Sequence, residues 1–235
     1  MNLLAGVDGC KAGWIALVQG VGGGDIKSIV RATPSDLCGA LADAQVIAVD
    51  VPIGLTDSGK RVCDVEARKR LGRYRASSVF PPPIRAALKA ASREEASEIQ
   101  RKVDGRRIGV QAWGIFPKIR DWDSCLRADC QLAKRVFEVH PEVCFWALND
   151  FKPMQHGKKT QLGRRGRRDL LIREFGVTAL DEVRSRHARH DVSDDDLHDA
   201  FVALWTARRI HAGMAKCFPE LPAHDSAGLP MAIWY

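Results

Sequence analysis

The stretch LLAGVDGCKAGWIALV, residues 3–18, decides the fold of this 235-residue chain. Two apolar runs, Leu3 to Val7 and Trp14 to Val18, flank a short turn that contains glycine, and this arrangement predicts a β-hairpin. The first run ends at Asp8, which Gly9 follows. The chain is therefore expected to open with two antiparallel strands, the first of which has an acidic residue near its end.

The segments that follow extend this hairpin into a mixed sheet. Residues 26–31 predict a third strand, and Pro34-Ser35 open a short helical pattern. The apolar run VIAV at residues 46–49 is typical of a buried strand, and it ends at Asp50. The order β-β-β-α-β favours an α/β fold.

The pattern changes in the middle of the chain. Residues 56–129 carry charged helical segments, and we interpret them as a helical insertion within one domain that spans residues 1–235. A strand pattern returns at residues 135–139, where His140-Pro141-Glu142 starts another helix or turn. A long helix is predicted from Ser193 or Asp194 to about residue 214, because Ser and Asp are favoured helix caps.

Composition excludes several classes of protein and permits an anionic partner. Hydrophobic residues make up 46% of the chain and charged residues 28%, as in ordinary globular proteins. Seven cysteines without a Cys-x-x-Cys pair argue against a disulfide framework and predict a reducing, cytoplasmic location. Asp8 interrupts the first apolar run too early for a signal peptide or a membrane span, so no membrane partner is expected. The net charge of +7 permits binding to a polyanion.

Acidic residues end two of the predicted buried strands and begin the long helix. Because the carboxyl ends of strands line the ligand crevice of an α/β sheet, Asp8 and Asp50 are expected to converge. Asp196 and Asp199 are three residues apart, and therefore lie on one helical face. Repulsion between buried carboxylates is relieved by protonation or by a divalent cation. The alternative, that these residues are turn and cap residues, stays open.

One further acid and a basic stretch complete the set of candidates. Glu138 alternates with its strand neighbours, and it points either inward as a ligand or outward on a solvated face. The basic stretch is expected to be a loop that contacts phosphates together with Lys11, or else a mobile solvated run. The basic residues of this stretch are Lys158, Lys159, Arg164, Arg165, Arg167 and Arg168.

Eight segments, in chain order, resemble one protein family. They are GVDGCKAGW, AVDVPIGL, RVCDVEAR, SSVFPPPIR, QAWGIFPKIRDWD, FEVHPEVCF, KKTQLGRRGRR and DDLHDAFVALWTARR. This set resembles the bacterial family of predicted ribonuclease H-like nucleases, domain of unknown function 429. The resemblance implies a ribonuclease H-like mixed sheet, with three antiparallel strands, further parallel strands and a closing acidic helix. It also implies that Asp8 and Asp50 are the strand acids of that fold, and that Asp196 and Asp199 are its closing-helix pair.

Residues and resemblance together predict a metal-dependent nuclease, a hydrolase of phosphodiester bonds in DNA or RNA. Two Mg²⁺ or Mn²⁺ ions would be held by Asp8, Asp50, Asp196 and Asp199, with Asp8 between the ions and Glu138 as a further catalytic acid.

Other functions and assemblies remain open. An actin-like nucleotide- or phosphate-binding protein, an ATPase or kinase, fits the GVDGCKAGW loop, and a catalytically inactive binding module also fits. The apolar stretch Met231–Trp234 would offer a strand edge to a second copy, which leaves a homodimer open.

Overall fold

The centre of the fold is a five-stranded mixed sheet, which a computed structural model describes together with the rest of residues 2–235. Its strand order is β3-β2-β1-β4-β5. The strands β1, β2 and β3 are antiparallel, whereas β4 and β5 run parallel to β1. The strands are β1 (Leu3–Cys10), β2 (Gly13–Gly20), β3 (Gly23–Arg31), β4 (Ala44–Val49) and β5 (Val136–Glu138).

Helices cover both faces of this sheet, and a small hairpin adjoins it. The helices are α1 (Pro34–Ala40), α2 (Val62–Arg75), α3 (Arg93–Asp104), α4 (Val110–Gly114), α5 (Phe116–Ala128), α6 (Cys130–Ala133), α7 (Pro141–Leu148), α8 (Gln161–Phe175), α9 (Val177–Ser185) and α10 (Asp194–His211). Two further strands, β6 (Cys217–His224) and β7 (Pro230–Trp234), form the hairpin. Across residues 2–235, no helix has the length and apolar character that crossing a bilayer requires.

The central strands are apolar on both sides because each side packs on helices. Val7 belongs to the core beneath α1 and α5, which includes Trp122. Leu4 belongs to the core on the opposite face, with Phe201 of α10 and Phe145 of α7. Alternation along β1 therefore places Gly6 and Asp8 on the same face as Leu4, the face that α10 covers.

Gly6 sets the distance between β1 and α10. A Cβ atom at this position would lie 2.0 Å from the backbone nitrogen of Leu204 and 2.4 Å from the carbonyl oxygen of Ala200. Both contacts are with helix backbone, so a larger residue is accommodated only if the helix moves away from the strand. The close approach of helix and strand therefore depends on glycine at position 6.

We expect Gly6→Ala to destabilise the protein by about 3 kcal/mol, at the upper end of the usual cost of overpacking, because the clash is with backbone. Urea denaturation followed by circular dichroism measures this loss. Gly22→Ala serves as the control, because a Cβ at Gly22 meets no atom within 4 Å. A loss for Gly6→Ala as small as that of the control would contradict the close packing of α10 on β1.

The chain between β4 and β5 forms helical structure with a small core of its own. This region contains the predicted insertion at residues 56–129, and its helices are α2 to α5. Ile84, Ala96 and Phe116 are buried together in a core separate from those of the sheet. This helical region follows β4, which ends at Val49, so the chain enters it from the carboxyl end of the central strands.

Only the start of the basic stretch is a loop: Lys158 and Lys159 precede a helix, whereas its four arginines lie on that helix, contrary to the sequence prediction. Thr160 caps a helix by accepting a hydrogen bond from the backbone nitrogen of Gly163, and α8 continues from there to Phe175. Leu170 and Leu171 anchor this helix in the core of the sheet. The many charges concealed its helical pattern, because most of its first two turns face solvent.

The C-terminal strand is paired within the chain. Ile233 pairs with Phe218 of β6, and Trp234 bridges to Val139 next to β5. The strand edge that was predicted to be free for a second copy is therefore paired within the same chain in this part of β7. Strand β6 was not predicted, because Pro219 and Pro222 interrupt its pattern.

Candidate functional site

Three aspartates from distant parts of the chain meet at the carboxyl end of the central strands. Val7 pairs with Val49 across the parallel strands β1 and β4, so Asp8 and Asp50 follow at the same level. The backbone nitrogen of Asp50 also donates a hydrogen bond of 3.0 Å to the carbonyl oxygen of Val7. Helix α10 brings Asp199 to the same place by packing on Gly6. We call Asp8, Asp50 and Asp199 the carboxylate cluster.

The members of the carboxylate cluster repel one another at close range. Asp8 is 8% exposed and Asp199 is 2% exposed. Burial raises the pKa of Asp8 well above its usual value, and the negative charges of Asp199 and Asp50 raise it further. Burial also raises the pKa of Asp50, and Asp199 adds to this rise while the charge of His140 opposes it. The cluster is therefore a place where positive charge is stabilised.

Lys158 supplies part of that positive charge. Its Nζ atom lies 2.6 Å from Oδ2 of Asp199. Burial lowers the pKa of Lys158, but the three carboxylates outweigh this effect and hold the pKa above its ordinary value. Within residues 2–235, the carboxylates of Asp8 and Asp50 accept no hydrogen bond and form no ion pair. Only one member of the cluster is thus directly neutralised by the part of the chain that the structure describes.

A cavity of about 510 Å³ opens beside Asp50. Its walls come from the end of β4, the insertion, the start of α7 and the segment before α8. Most of its charged side chains are cations. The lining includes Arg75, Lys118, Lys158 and Lys159 as cations, together with His140, Ser77, Ser78, Phe80 and Glu142. A cationic cavity next to buried carboxylates suits a phosphate-bearing ligand that binds a divalent cation as well.

Two residues of this site were not predicted from the sequence. Lys118 of α5 reaches the end of β1. A Cβ atom on Gly9 would lie 1.9 Å from Nζ of Lys118. The ammonium also lies 5.1 Å from the centre of the Trp14 ring, and its charge lowers the pKa of Asp50. His140 begins α7, and its Nε2 atom is 3.2 Å from the carbonyl oxygen of Ser78. Its Nδ1 atom is buried and has no partner within residues 2–235.

The sequence held only an indirect signal for these two residues. Lys118 lies in the segment QAWGIFPKIRDWD, and His140 follows a strand that ends close to Asp50. The local sequence at neither position indicates that the side chain lies close to the aspartates, because the approach of α5 to the sheet is a tertiary contact.

Glu138 does not join the carboxylate cluster, contrary to the sequence prediction. Its register partner is Val49, whose side chain faces the core beneath α1 and α5, the face opposite Asp8. Both carboxylate oxygens of Glu138 are bound by the Arg61 guanidinium, at 2.6 and 2.8 Å. The backbone nitrogen of Ile53 donates a further hydrogen bond of 2.6 Å. Glu138 therefore neutralises a buried arginine.

Asp196 caps a helix at the margin of the cluster. Its backbone nitrogen donates to Oγ of Ser193, and its carboxylate accepts from the backbone nitrogen of Ser193, which completes a capping box. Its charge still raises the pKa of Asp8, as a weaker effect than the charges of Asp50 and Asp199. The alternative that the sequence left open for Asp196, a cap, is thus the role the structure shows.

The basic residues predicted to contact phosphates have divided roles. Lys158 and Lys159 line the cavity beside Asp50. Arg167 is buried and pairs with Glu142, so it is not available to a ligand. The remaining residues lie outside this cavity: Arg164 and Arg165 are exposed on α8, Arg168 pairs with Asp181, and Lys11 is exposed on the β1–β2 turn.

The donor chemistry of the carboxylate cluster suits a hard divalent cation. Carboxylate oxygens are the preferred protein ligands of Mg²⁺ and Mn²⁺. The unpartnered carboxylates of Asp8, which is buried, and of Asp50, which lines the cavity, leave donors available. As arranged in residues 2–235, no group of three His, Cys, Asp or Glu side chains is placed to hold a metal ion. Because Lys158 holds Asp199, we expect cation binding to require that Lys158 release it.

Lys158→Met provides a test of this competition. Lys158 is 40% exposed, so its loss is expected to cost only about 1 kcal/mol of stability without divalent ions. Added Mn²⁺ should then raise the Tm of the variant more than that of the parent, because the ion no longer competes with an ammonium. Thermal denaturation with and without Mn²⁺ measures this, with exposed Lys152→Met as the control. Equal Mn²⁺ shifts in all three proteins would contradict the competition.

Comparison with known proteins identifies a family and no closer relative. The family model described as "Protein of unknown function (DUF429)" matches residues 6–224. No curated protein and no solved structure gives a significant match.

Proposed function

The chain belongs to the DUF429 family of proteins of unknown function, and we propose from its site that it is a metal-dependent nuclease. The observation that carries this proposal is the convergence of Asp8, Asp50 and Asp199 beside a cationic cavity. A cluster of carboxylates provides metal ligands, and adjacent cations provide contacts for phosphate.

We assign the sheet to the ribonuclease H-like class as part of the same proposal. Three antiparallel strands are followed by two strands parallel to β1, and an acidic helix, α10, packs on β1. This order is the one that the resemblance implies. It supports the placement of Asp8, Asp50 and Asp199 as the strand and helix acids of that fold.

In this proposal Asp8, Asp50 and Asp199 hold Mg²⁺ or Mn²⁺. The bound ions would supply an activated water and stabilise the departing oxygen of a phosphodiester. The protein's cations bind the substrate: Lys118 and Lys159, which line the cavity, would contact phosphate oxygens without regard to sequence. Lys158 would turn from Asp199 to a phosphate when the cluster is neutralised. The charge of His140 acts on Asp50 and would favour the ionised form of that carboxylate.

A hydrolysis assay tests the proposal. The purified protein is incubated with single-stranded DNA, duplex DNA, RNA and a branched junction, in Mn²⁺, in Mg²⁺ and in a chelator. We expect divalent-dependent cleavage of at least one of these substrates, with rates that fall as salt rises. If ATP is turned over while all four nucleic acids stay intact in Mn²⁺, the nuclease is excluded in favour of the nucleotide-binding alternative.

A further inference from the structure

Phe80 presents a large apolar ring to solvent at the rim of the cavity. Phe80 is 44% exposed, although it lines the same cavity as Asp50 and the lysines. Exposing an aromatic ring to water forgoes the stabilisation that burying it would provide. Among the residues that the structure describes, other exposed apolar side chains do not line this cavity, so what distinguishes Phe80 is an exposed ring beside charged ligand-binding groups.

The backbone around Phe80 is firmly held, so the exposure of the ring is built into the fold. Val79 is 1% exposed in a core with Trp146, and Pro82 and Pro83 are buried on the other side. Arg68 donates a hydrogen bond of 2.7 Å to the carbonyl oxygen of Val79. The prolines fix the backbone φ angles that follow Phe80. The backbone that carries the ring is thus conformationally restricted.

Phe80 shares its cavity with four cations. Arg75, Lys118, Lys158 and Lys159 line the same space. Proteins that bind single strands without sequence preference combine a cationic groove, which follows the phosphates, with aromatic rings on which bases stack. Bases within a duplex are covered by their own neighbours, so a protein ring reaches a base face only when that base is unstacked.

We infer that Phe80 is a stacking platform for an unpaired base, and that the site takes single-stranded nucleic acid. The inference rests on the proposed function and adds the substrate class. The phosphates flanking the stacked base lie against the lysines, and the scissile phosphate lies at the carboxylate cluster. Duplex substrates bind less tightly because they present no free base face to Phe80.

Binding measured without turnover tests this inference. Fluorescence anisotropy of a labelled oligodeoxythymidine is recorded in Ca²⁺ for the parent, Phe80→Ala and Phe80→Trp. We expect Phe80→Ala to weaken binding about tenfold and Phe80→Trp to preserve it. A labelled duplex should bind the parent about tenfold more weakly than the single strand, with no effect of either substitution. Tyr74→Ala is the control, because Tyr74 is also exposed but does not line the cavity.

Each outcome separates the inference from the nuclease proposal. Unchanged single-strand affinity in Phe80→Ala, equal affinity of the parent for duplex and single strand, or no binding of the single strand would overturn the stacking platform. The hydrolysis assay is read independently. If the parent cleaves nucleic acid and Phe80→Ala binds and cleaves equally well, the nuclease stands without the platform. If Phe80-dependent binding occurs without any hydrolysis, the stacking role of Phe80 is supported and the nuclease proposal is contradicted.

Discussion

Asp8→Asn is expected to lower the rate of nucleic-acid hydrolysis by about a thousandfold or more, while raising the stability of the fold. Asp8 lies near the carboxyl end of β1, and the charges of Asp50, Asp199 and Lys158 act on its carboxylate. Replacing a carboxylate by an amide keeps the shape of the side chain but removes an anionic ligand. A loss of this size corresponds to about 4 kcal/mol of transition-state stabilisation.

The same substitution removes a source of repulsion. Asp8 is buried beside two other aspartates, so its charge opposes folding at neutral pH. We expect Asp8→Asn to gain about 1 kcal/mol, which raises Tm on the order of 2–4 °C. Opposite signs for activity and stability are characteristic of residues kept for function. Exposed Asp25→Asn is the control and should change neither quantity. Retained hydrolysis in a folded Asp8→Asn protein would contradict the mechanism.

Arg61→Leu is expected to cost about 3–5 kcal/mol of folding free energy. Arg61 is 2% exposed, and its guanidinium pairs with Asp64 and Glu138, each at 2.6 Å. Burial lowers the pKa of Arg61, but the charges of the two carboxylates outweigh it and hold the pKa above its ordinary value. Removing the arginine leaves two buried acids without their shared partner.

Urea denaturation measures this effect, and an exposed arginine provides the control. Arg127→Leu removes a side chain that is about half exposed and lies 3.5 Å from Asp123, so we expect a loss below about 1 kcal/mol. The combined variant with Arg61→Leu and Glu138→Leu should lose less than the sum of the two single losses, because it removes a charge together with its partner. A loss for Arg61→Leu as small as that of the control would show that Glu138 does not depend on this pair.

The convergence of Asp8 and Asp50 was predictable, because it follows from strand order and alternation. Two buried strands that each end in an acid, once aligned in parallel, bring those acids to one edge of the sheet. The face of Glu138 was not predictable in the same way. Helices cover both faces of the sheet, so a buried side chain of a strand can point into either of two separate cores. The pairing of Glu138 with Val49 determines which core Glu138 faces, and a single sequence does not reveal that register.

The contributions of helices to the site were harder to predict than those of strands. The capping role of Asp196 and the buried position of Asp199 are both compatible with an acidic helix start, and only the packing of α10 on Gly6 separates them. Lys118 approaches the aspartates from an insertion, and Lys158 approaches from the segment before α8. Such contacts join residues far apart in the chain and leave no periodic pattern.

A crystal structure of the protein soaked in Mn²⁺, with the ion located by its anomalous scattering, shows whether the three aspartates bind a cation. We expect Mn²⁺ coordinated by the carboxylates of Asp8, Asp50 and Asp199, with Lys158 moved away from Asp199. Mn²⁺ bound elsewhere, or a Lys158–Asp199 ion pair that persists at saturating Mn²⁺ with no ion among the three aspartates, would contradict this expectation.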